Sequence, residues 1–317
     1  MMRRVLVTGA STPLGRGVVD RLGGRVDVET VVGVDRHGGV LRATGTSGRP
    51  PAETGRTPTL GELVDSLGVD TIVHAEMCPS RSGAPTTDQP DVISTLQVAA
   101  AASGRPGPVR TLVAVSSTEV YPASARAPTW RREDEGLRPV AESAAALALE
   151  AEDLLRDVAQ QQPHISVGIL RLADLAGPAV VSGLSSLLGG VAVPLVPGYD
   201  PPVQFLHPDD AVGAIEHAVT LELAGTFNVA GDGVVRWRDA ARMTGRPTMP
   251  IIAPFEPLNA VLRTFRVPTV PNALIDVLRF GRCADAGALA STGFSPQHST
   301  EECVRAVAHG PRARSTK

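Results

Sequence analysis

Arg4-Val-Leu-Val-Thr-Gly-Ala-Ser-Thr-Pro-Leu-Gly15 decides the fold. A short β-branched apolar run ends at Thr8, a glycine-bearing turn follows, and Leu14 to Leu22 has helical spacing, with Gly23-Gly24 as its stop. Strand, turn and helix follow one another without a spacer. The pattern then repeats. Thr30 to Asp35, Asp70 to His74, Arg110 to Ser116 and Ile165 to Arg171 read as further strands, apolar on both faces as in a buried parallel sheet. Leu60 to Leu67, Asp91 to Ser103 and Val140 to Gln160 read as helices between them. This alternation predicts an α/β fold of Rossmann type, a doubly wound parallel sheet with right-handed crossovers.

The chain has 317 residues, 43% apolar and 20% charged, enough to bury a sizeable core. Residues 1–177 are expected to form the dinucleotide-type domain. Gly225 to Val229 supplies a return strand near 225–230, 178–311 forms mainly a smaller C-terminal substrate lobe, and 312–317 a frayed basic tail. His37 to Thr59, rich in Gly, Pro, Thr and Arg, reads as a surface excursion or a degraded strand plus loop. A net charge of −3 speaks against a nucleic-acid binder, and no apolar run is long enough to span a membrane. A cytoplasmic location is the expectation. Cys78, Cys283 and Cys303 are odd in number and widely spaced, so they make neither a disulfide framework nor a CxxC metal site. His74, His164 and His207 lack metal-ligand spacing, and Ser117 lacks a GxSxG elbow, so no metal and no hydrolase chemistry are expected.

The turn from Gly9 to Gly15, with Ser11, Thr12, Pro13 and Leu14, sits where backbone amides and a helix dipole can hold a pyrophosphate. Thr12 occupies the place of the middle glycine of the usual GxxGxxG pattern. Asp35, at the end of the second strand, is placed to accept hydrogen bonds from an adenosine ribose, which favours NAD. Arg36 and His37 beside it could instead hold a ribose phosphate, which leaves NADP open.

With these residues the chain resembles the extended short-chain dehydrogenase/reductases, the group that contains sugar-nucleotide epimerases and dehydratases. Asp70-Thr-Ile-Val-His-Ala75, Ser116-Ser-Thr-Glu-Val-Tyr-Pro122, Leu170 to Pro178, Phe205-Leu-His-Pro-Asp-Asp210, Thr226 to Val229 and Gly293 to Pro296 extend the likeness over nearly the whole length. The resemblance implies cofactor contacts at His74, Ala75, Glu76, Val115 and Ser116, and at Leu172, Ala173 and Asp174 near the nicotinamide. It also implies Ser117 at the catalytic serine position, here for orientation and electrostatic stabilisation. Met77, Ser117, Tyr121, Leu175, Tyr199 and Phe205 are the expected substrate-lining residues. His207 reads as a structural histidine at a helix start, and Glu119 and Glu142 as solvated or capping carboxylates.

One departure is large. The family's acid is the tyrosine of a YxxxK helix, and here Ala144 and Ala148 stand in the tyrosine and lysine positions. Tyrosine occurs only at Tyr121 and Tyr199, and the sole lysine is Lys317. Losing a general acid forfeits about a hundred- to ten-thousandfold in rate, so redox catalysis is weakened and not forbidden. The proton could come from the substrate, from water, from a cofactor ribose hydroxyl or from another side chain.

The missing pair, with a composition rich in Ala, Gly, Pro and Arg, also resembles the atypical polyketide ketoreductases of angucyclinone biosynthesis, the simocyclinone type among them. That resemblance implies an aromatic ketone as substrate, a role in antibiotic biosynthesis, and NADPH as reductant, with NADH as the alternative. The resemblance to the extended short-chain dehydrogenase/reductases further implies a possible homodimer, paired through the helices Asp91 to Ser103 and Val140 to Gln160. A non-catalytic NAD(P)-binding sensor or partner protein is the competing reading, and a sugar-nucleotide epimerase a third, disfavoured because it needs the absent tyrosine.

Overall fold

The computed structural model describes residues 2–35, 40–45, 58–76, 92–104, 107–135, 137, 143–178, 183–251, 270 and 272–309. Its framework is a run of strands and helices: β1 Arg3–Thr8, α1 Pro13–Gly23, β2 Val28–Val34, β3 Val40–Gly45, α2 Leu60–Leu67, β4 Thr71–His74, α3 Val92–Ser103, β5 Thr111–Ser117, β6 Trp130–Arg131, α4 Ala144–Gln161, β7 Ser166–Leu172, α5 Gly183–Leu188, β8 Val193–Leu195, β9 Pro202–Val203, α6 Pro208–Leu221 and β10 Gly225–Val229. Seven of the strands make one sheet in the order β10-β7-β5-β4-β1-β2-β3. All neighbours pair in parallel except β3, which runs antiparallel to β2 at the edge. Strand order reverses between β1 and β4, which creates the crevice where open α/β sheets bind ligands at the carboxyl ends of their strands.

Strands β1, β2, β4, β5 and β7 are largely buried on both faces, and their side chains alternate between two cores. Val5, Val7, Val73, Val113, Val115, Leu170 and Leu172 point to the α1 and α6 side. Leu6, Ile72, Leu112, Ala114 and Ile169 point to the α2, α3 and α4 side. This period of two is why each predicted strand reads as a continuous apolar run. The helices have local reasons to start where they do. Thr59 and Glu62 form a reciprocal capping box at α2, and Ser143 caps α4 by accepting from the Ala146 amide at 3.1 Å.

Of the two readings of the segment after Asp35, the strand is the one observed, since Val40–Gly45 closes the sheet as β3. Helix α6 lies within the stretch assigned to the smaller lobe, yet Ala211, Ala214, Ile215 and Ala218 join the first core of the sheet. The lobe proper gathers around a third core that includes Ala176, Leu184, Phe205, Trp237, Cys303 and Val304. Buried Trp237 donates from Nε1 to the Pro194 carbonyl at 2.8 Å, as a buried indole must find an acceptor. Cys283 and Cys303 are buried free thiols, pushed up to about 11 and about 12 chiefly by that burial, and behave as small apolar residues. Cys78 lies outside the described residues. Among the described residues no helix is long and apolar enough to cross a membrane.

Candidate dinucleotide site and its missing acid

At the mouth of β1 the chain makes its closest approaches. Gly9 adopts φ +73°, and a Cβ there would lie 2.8 Å from Cγ of Glu76 and 3.2 Å from the Ala75 carbonyl carbon. A Cβ on Gly15 would sit 2.2 Å from the Gly9 carbonyl oxygen. Both positions therefore require glycine, the first for conformation and the second for space. Thr12 takes over the task of the absent middle glycine by a different device. In extended conformation it caps α1: its Oγ1 donates to the Gly9 carbonyl at 2.8 Å and accepts from the Gly15 amide at 3.0 Å. The Ser11 and Leu14 amides have no acceptor among the described residues and lie at the positive end of α1. Such a cradle fits a pyrophosphate. The Ala10 amide donates to Val34 at 3.1 Å, which ties the turn to the end of β2, and half-buried Asp35 follows directly. A cavity of about 230 Å³ lies beside the turn, lined by Pro13, Leu14 and Gly17 on one side and Leu175, His207 and Val212 on the other. Arg36, His37 and Met77 lie outside the described residues.

Burial limits what several of the expected side chains can reach. The His74 imidazole is fully buried, with Nδ1 hydrogen-bonded to Thr8 Oγ1 at 2.8 Å and Nε2 to Thr95 Oγ1 at 3.0 Å, so its side chain links β1 to α3 and does not face a ligand. Ser116 is fully buried and donates to Glu152 at 2.6 Å. Val115, Leu172 and Ala173 also turn their side chains into the core, while Leu175 joins that core and lines the cavity beside the turn. Phe205 is part of the third core and cannot line a substrate cleft. Tyr121, the expected stacking residue, is buried as well; its hydroxyl accepts from Arg171 at 2.8 Å and donates to Asn228 at 2.8 Å. Burial pushes its phenol above the ordinary value, and it can neither touch substrate nor replace the missing acid. Tyr199 is 40% exposed and packs edge-on against Phe280.

Behind the serine strand, Arg171 donates from Nε and Nη2 to both carboxylate oxygens of Glu152, at 3.0 and 2.7 Å, and Arg156 donates to the same group at 2.6 Å. This fork locks α4 to β7. Ala148, one turn before Glu152, is 3% exposed and packs against Val120 and Tyr121. The predicted lysine position is thus filled by neighbouring side chains. His207 caps α6, as expected, accepting from the Asp209 amide at 3.3 Å, and its ring stacks on His298 with centroids 3.9 Å apart.

Ser117 ends β5 opposite Leu172 of β7, and its Oγ accepts from the Glu119 amide at 3.1 Å. Two residues past that pair on each strand stand Glu119 and Asp174, so both carboxyls sit beyond the carboxyl ends of adjacent parallel strands. Asp174 is paired with Arg282 at 3.0 Å, and Arg282 reaches Glu119 at 4.0 Å. A Cβ on Gly183, φ +41°, would collide with Asp174 at 2.2 Å and approach Glu119 to 3.2 Å. Burial pushes the Glu119 carboxyl up from its usual range, the Arg282 charge opposes this, and Asp174 adds to it. This corrects the reading of Glu119 as a solvated or capping carboxylate. Arg282 was missed because it lies 108 residues from Asp174 in the chain, and no local spacing signals the pair.

The glycine turn, Asp35 and the sheet order are those of a dinucleotide-binding fold, and the sequence pattern of the NAD dependent epimerase/dehydratase family matches residues 5–230. The chain belongs to that family. An uncharacterised protein of Mycobacterium tuberculosis (strain ATCC 25618 / H37Rv) and one of Mycobacterium bovis are each 32% identical over 307 residues, covering 94% of this chain and 81% of theirs. Among solved structures, dTDP-glucose 4,6-dehydratase from Bacillus anthracis in complex with NAD superposes with a TM-score of 0.66 at 15% identity, over 96% of this chain and 95% of that one. UDP-glucuronic acid 4-epimerase from Bacillus cereus in complex with NAD gives 0.65 at 18%, over 96% of each chain. This member of the epimerase/dehydratase family keeps the fold and the dinucleotide turn without the tyrosine and lysine of the YxxxK helix.

Proposed function

We propose that the protein is a nicotinamide-dinucleotide-dependent oxidoreductase that reduces a ketone without a tyrosine–lysine pair. The observation that carries this reading is the intact cradle from Gly9 to Gly15 with Asp35 beside it, set at the reversal of strand order. The dinucleotide, when bound, supplies the hydride. The chain's own residues bind and orient. The Ser11 and Leu14 amides hold the pyrophosphate, and Asp35 holds the adenosine ribose. Ser117, whose oxygen already accepts from the Glu119 amide, keeps its hydroxyl hydrogen for a substrate carbonyl oxygen. A carboxylate at Asp35 repels a ribose phosphate, so NADH is the better fit, and use of NADPH rests on Arg36 and His37. An aromatic polyketide ketone, the substrate class of the angucyclinone ketoreductases, suits a site without tyrosine, because a neighbouring phenol polarises the carbonyl and can quench the alkoxide. Sugar nucleotides are the alternative substrates, supported by the names of the structural neighbours. A binding protein without chemistry is the second reading, supported by Ala144 and Ala148. Incubating purified protein with NADH, and separately NADPH, and an anthraquinone-type ketone is expected to consume the reduced cofactor in a ketone-dependent manner. Saturable cofactor binding with no turnover of that ketone or of UDP-glucose with NAD supports the binding protein instead.

A further inference from the structure

Asn228 is fully buried and bonds several segments at once. It lies on β10, the edge strand, opposite Arg171 of β7. Its Oδ1 accepts from the Tyr121 hydroxyl at 2.8 Å, and its Nδ2 donates to the Arg131 carbonyl at 3.1 Å and the Asp285 carbonyl at 3.0 Å. Its own amide donates to a Glu133 carboxylate oxygen at 2.8 Å. The side chain thus uses its oxygen and both N–H donors, as a buried carboxamide must. The segments it holds lead to the ligand side of the sheet. Tyr121 follows Ser117 through the short turn Thr118–Val120. Val229, the next residue of β10, accepts the Ala173 amide at 2.8 Å where the chain leaves β7. Arg131 belongs to β6, which pairs in parallel with the two-residue strand Cys283–Ala284, and the Asp285 amide donates to the Arg131 carbonyl at 2.8 Å. Arg282, directly before that strand, reaches Asp174 past the end of β7 at 3.0 Å. A ribbon this short is weak by itself. Gln204 holds it within the lobe by accepting the Ala284 amide at 3.0 Å, and Asn228 ties it to the sheet.

We propose that Asn228 is a positioning residue for the nicotinamide end of the dinucleotide, because it holds the exits of β5 and β7 and the segment before Cys283 in one arrangement. This rests on the oxidoreductase reading, in which Ser117 orients the substrate carbonyl and the hydride-bearing ring must lie beside the ends of β5 and β7. Asn228 touches neither cofactor nor substrate and acts through the backbone it fixes. Its side-chain bonds go to Tyr121, Arg131 and Asp285, none of them part of the cradle from Gly9 to Gly15 or of Asp35. The two ends of the dinucleotide therefore depend on different residues, and a change at Asn228 separates them.

The test compares calorimetric affinities for NADH and for ADP-ribose, which carries the adenosine and pyrophosphate but no nicotinamide, in wild type, Asn228→Ala and Tyr121→Phe, with folding followed by the urea midpoint. In Asn228→Ala the Arg131 carbonyl keeps the Asp285 amide and the Tyr121 hydroxyl keeps its Arg171 donor, while the ribbon loses its tie to the sheet. This variant is expected to bind ADP-ribose as wild type does and NADH about tenfold more weakly. Tyr121→Phe removes only the hydroxyl that Asn228 holds and is expected to shift the ratio of the two affinities the same way, by about threefold. It carries the test by itself if Asn228→Ala does not fold. An unchanged ratio in folded variants, or an equal loss of both ligands, overturns the positioning role and leaves the oxidoreductase reading standing. Folded wild type that binds neither ligand overturns that reading, and this role with it.

Discussion

Glu152 shows how a single buried charge is tolerated. Burial alone would raise its carboxyl, but hydrogen bonds and charge from Arg171, with Ser116 and Arg156, hold it below the ordinary value of 4.5. A depressed carboxylate contributes stability that is fully present above the unfolded value and lost as pH falls through the folded one. Unfolding in urea is therefore expected to show a loss of stability below about pH 4.5 that is smaller in Glu152→Gln, where Asp27 and Glu302 still contribute, and the stability of that variant at pH 7 falls by about 3–5 kcal/mol because the buried Arg171 loses its carboxylate partner. A flat pH dependence shared by both proteins contradicts the fork. Nothing local in the sequence announces this network. Glu152 looks like one more polar position of a long helix, and Arg171 looks like an interruption in an apolar strand. Their pairing is a tertiary event between α4 and β7, which is also why the expected roles of Ser116 and Tyr121 were overtaken by the core.

Strands and helices were more legible than side-chain roles. A strand buried on both faces writes itself as a largely apolar run, and β1, β2, β4, β5 and β7 do so within a residue or two of their observed ends, while the edge strand β10 reads from its own short run at 225–229. β3 failed this rule because an edge strand needs only one apolar face, and Val40–Gly45 is short and interrupted by Arg42 and Gly45. Helix α4 carries the departure that matters most for chemistry. Ala148 sits against Val120 and Tyr121 with almost no exposed surface, so the lysine position cannot be refilled freely. Ala148→Lys is expected to destabilise the fold by about 1–3 kcal/mol through overpacking, seen as a lower urea midpoint with an unchanged slope. Stability equal to wild type would show that α4 can yield, and that the family's acid pair could be rebuilt there.

Across the whole molecule, the sheet and the smaller lobe are joined at the ligand side. The α1 turn, the ends of β5 and β7 and the start of α6 lie on the carboxyl side of the sheet, whose two faces carry the first and second cores, while the third core belongs to the lobe. The sequence displayed the cradle because its glycines and Asp35 are close in the chain, and concealed the Glu119, Asp174 and Arg282 group because it is assembled from three distant segments. Function in this chain turns on whether the cradle holds a dinucleotide although the YxxxK tyrosine and lysine are absent. Calorimetric titration of the purified chain with NADH tests this most directly. Saturable binding of one NADH per chain is expected in wild type and its loss in Gly15→Ala, where the added Cβ meets the Gly9 carbonyl oxygen. No binding by a folded wild-type chain, or undiminished binding by a folded Gly15→Ala variant, would contradict it.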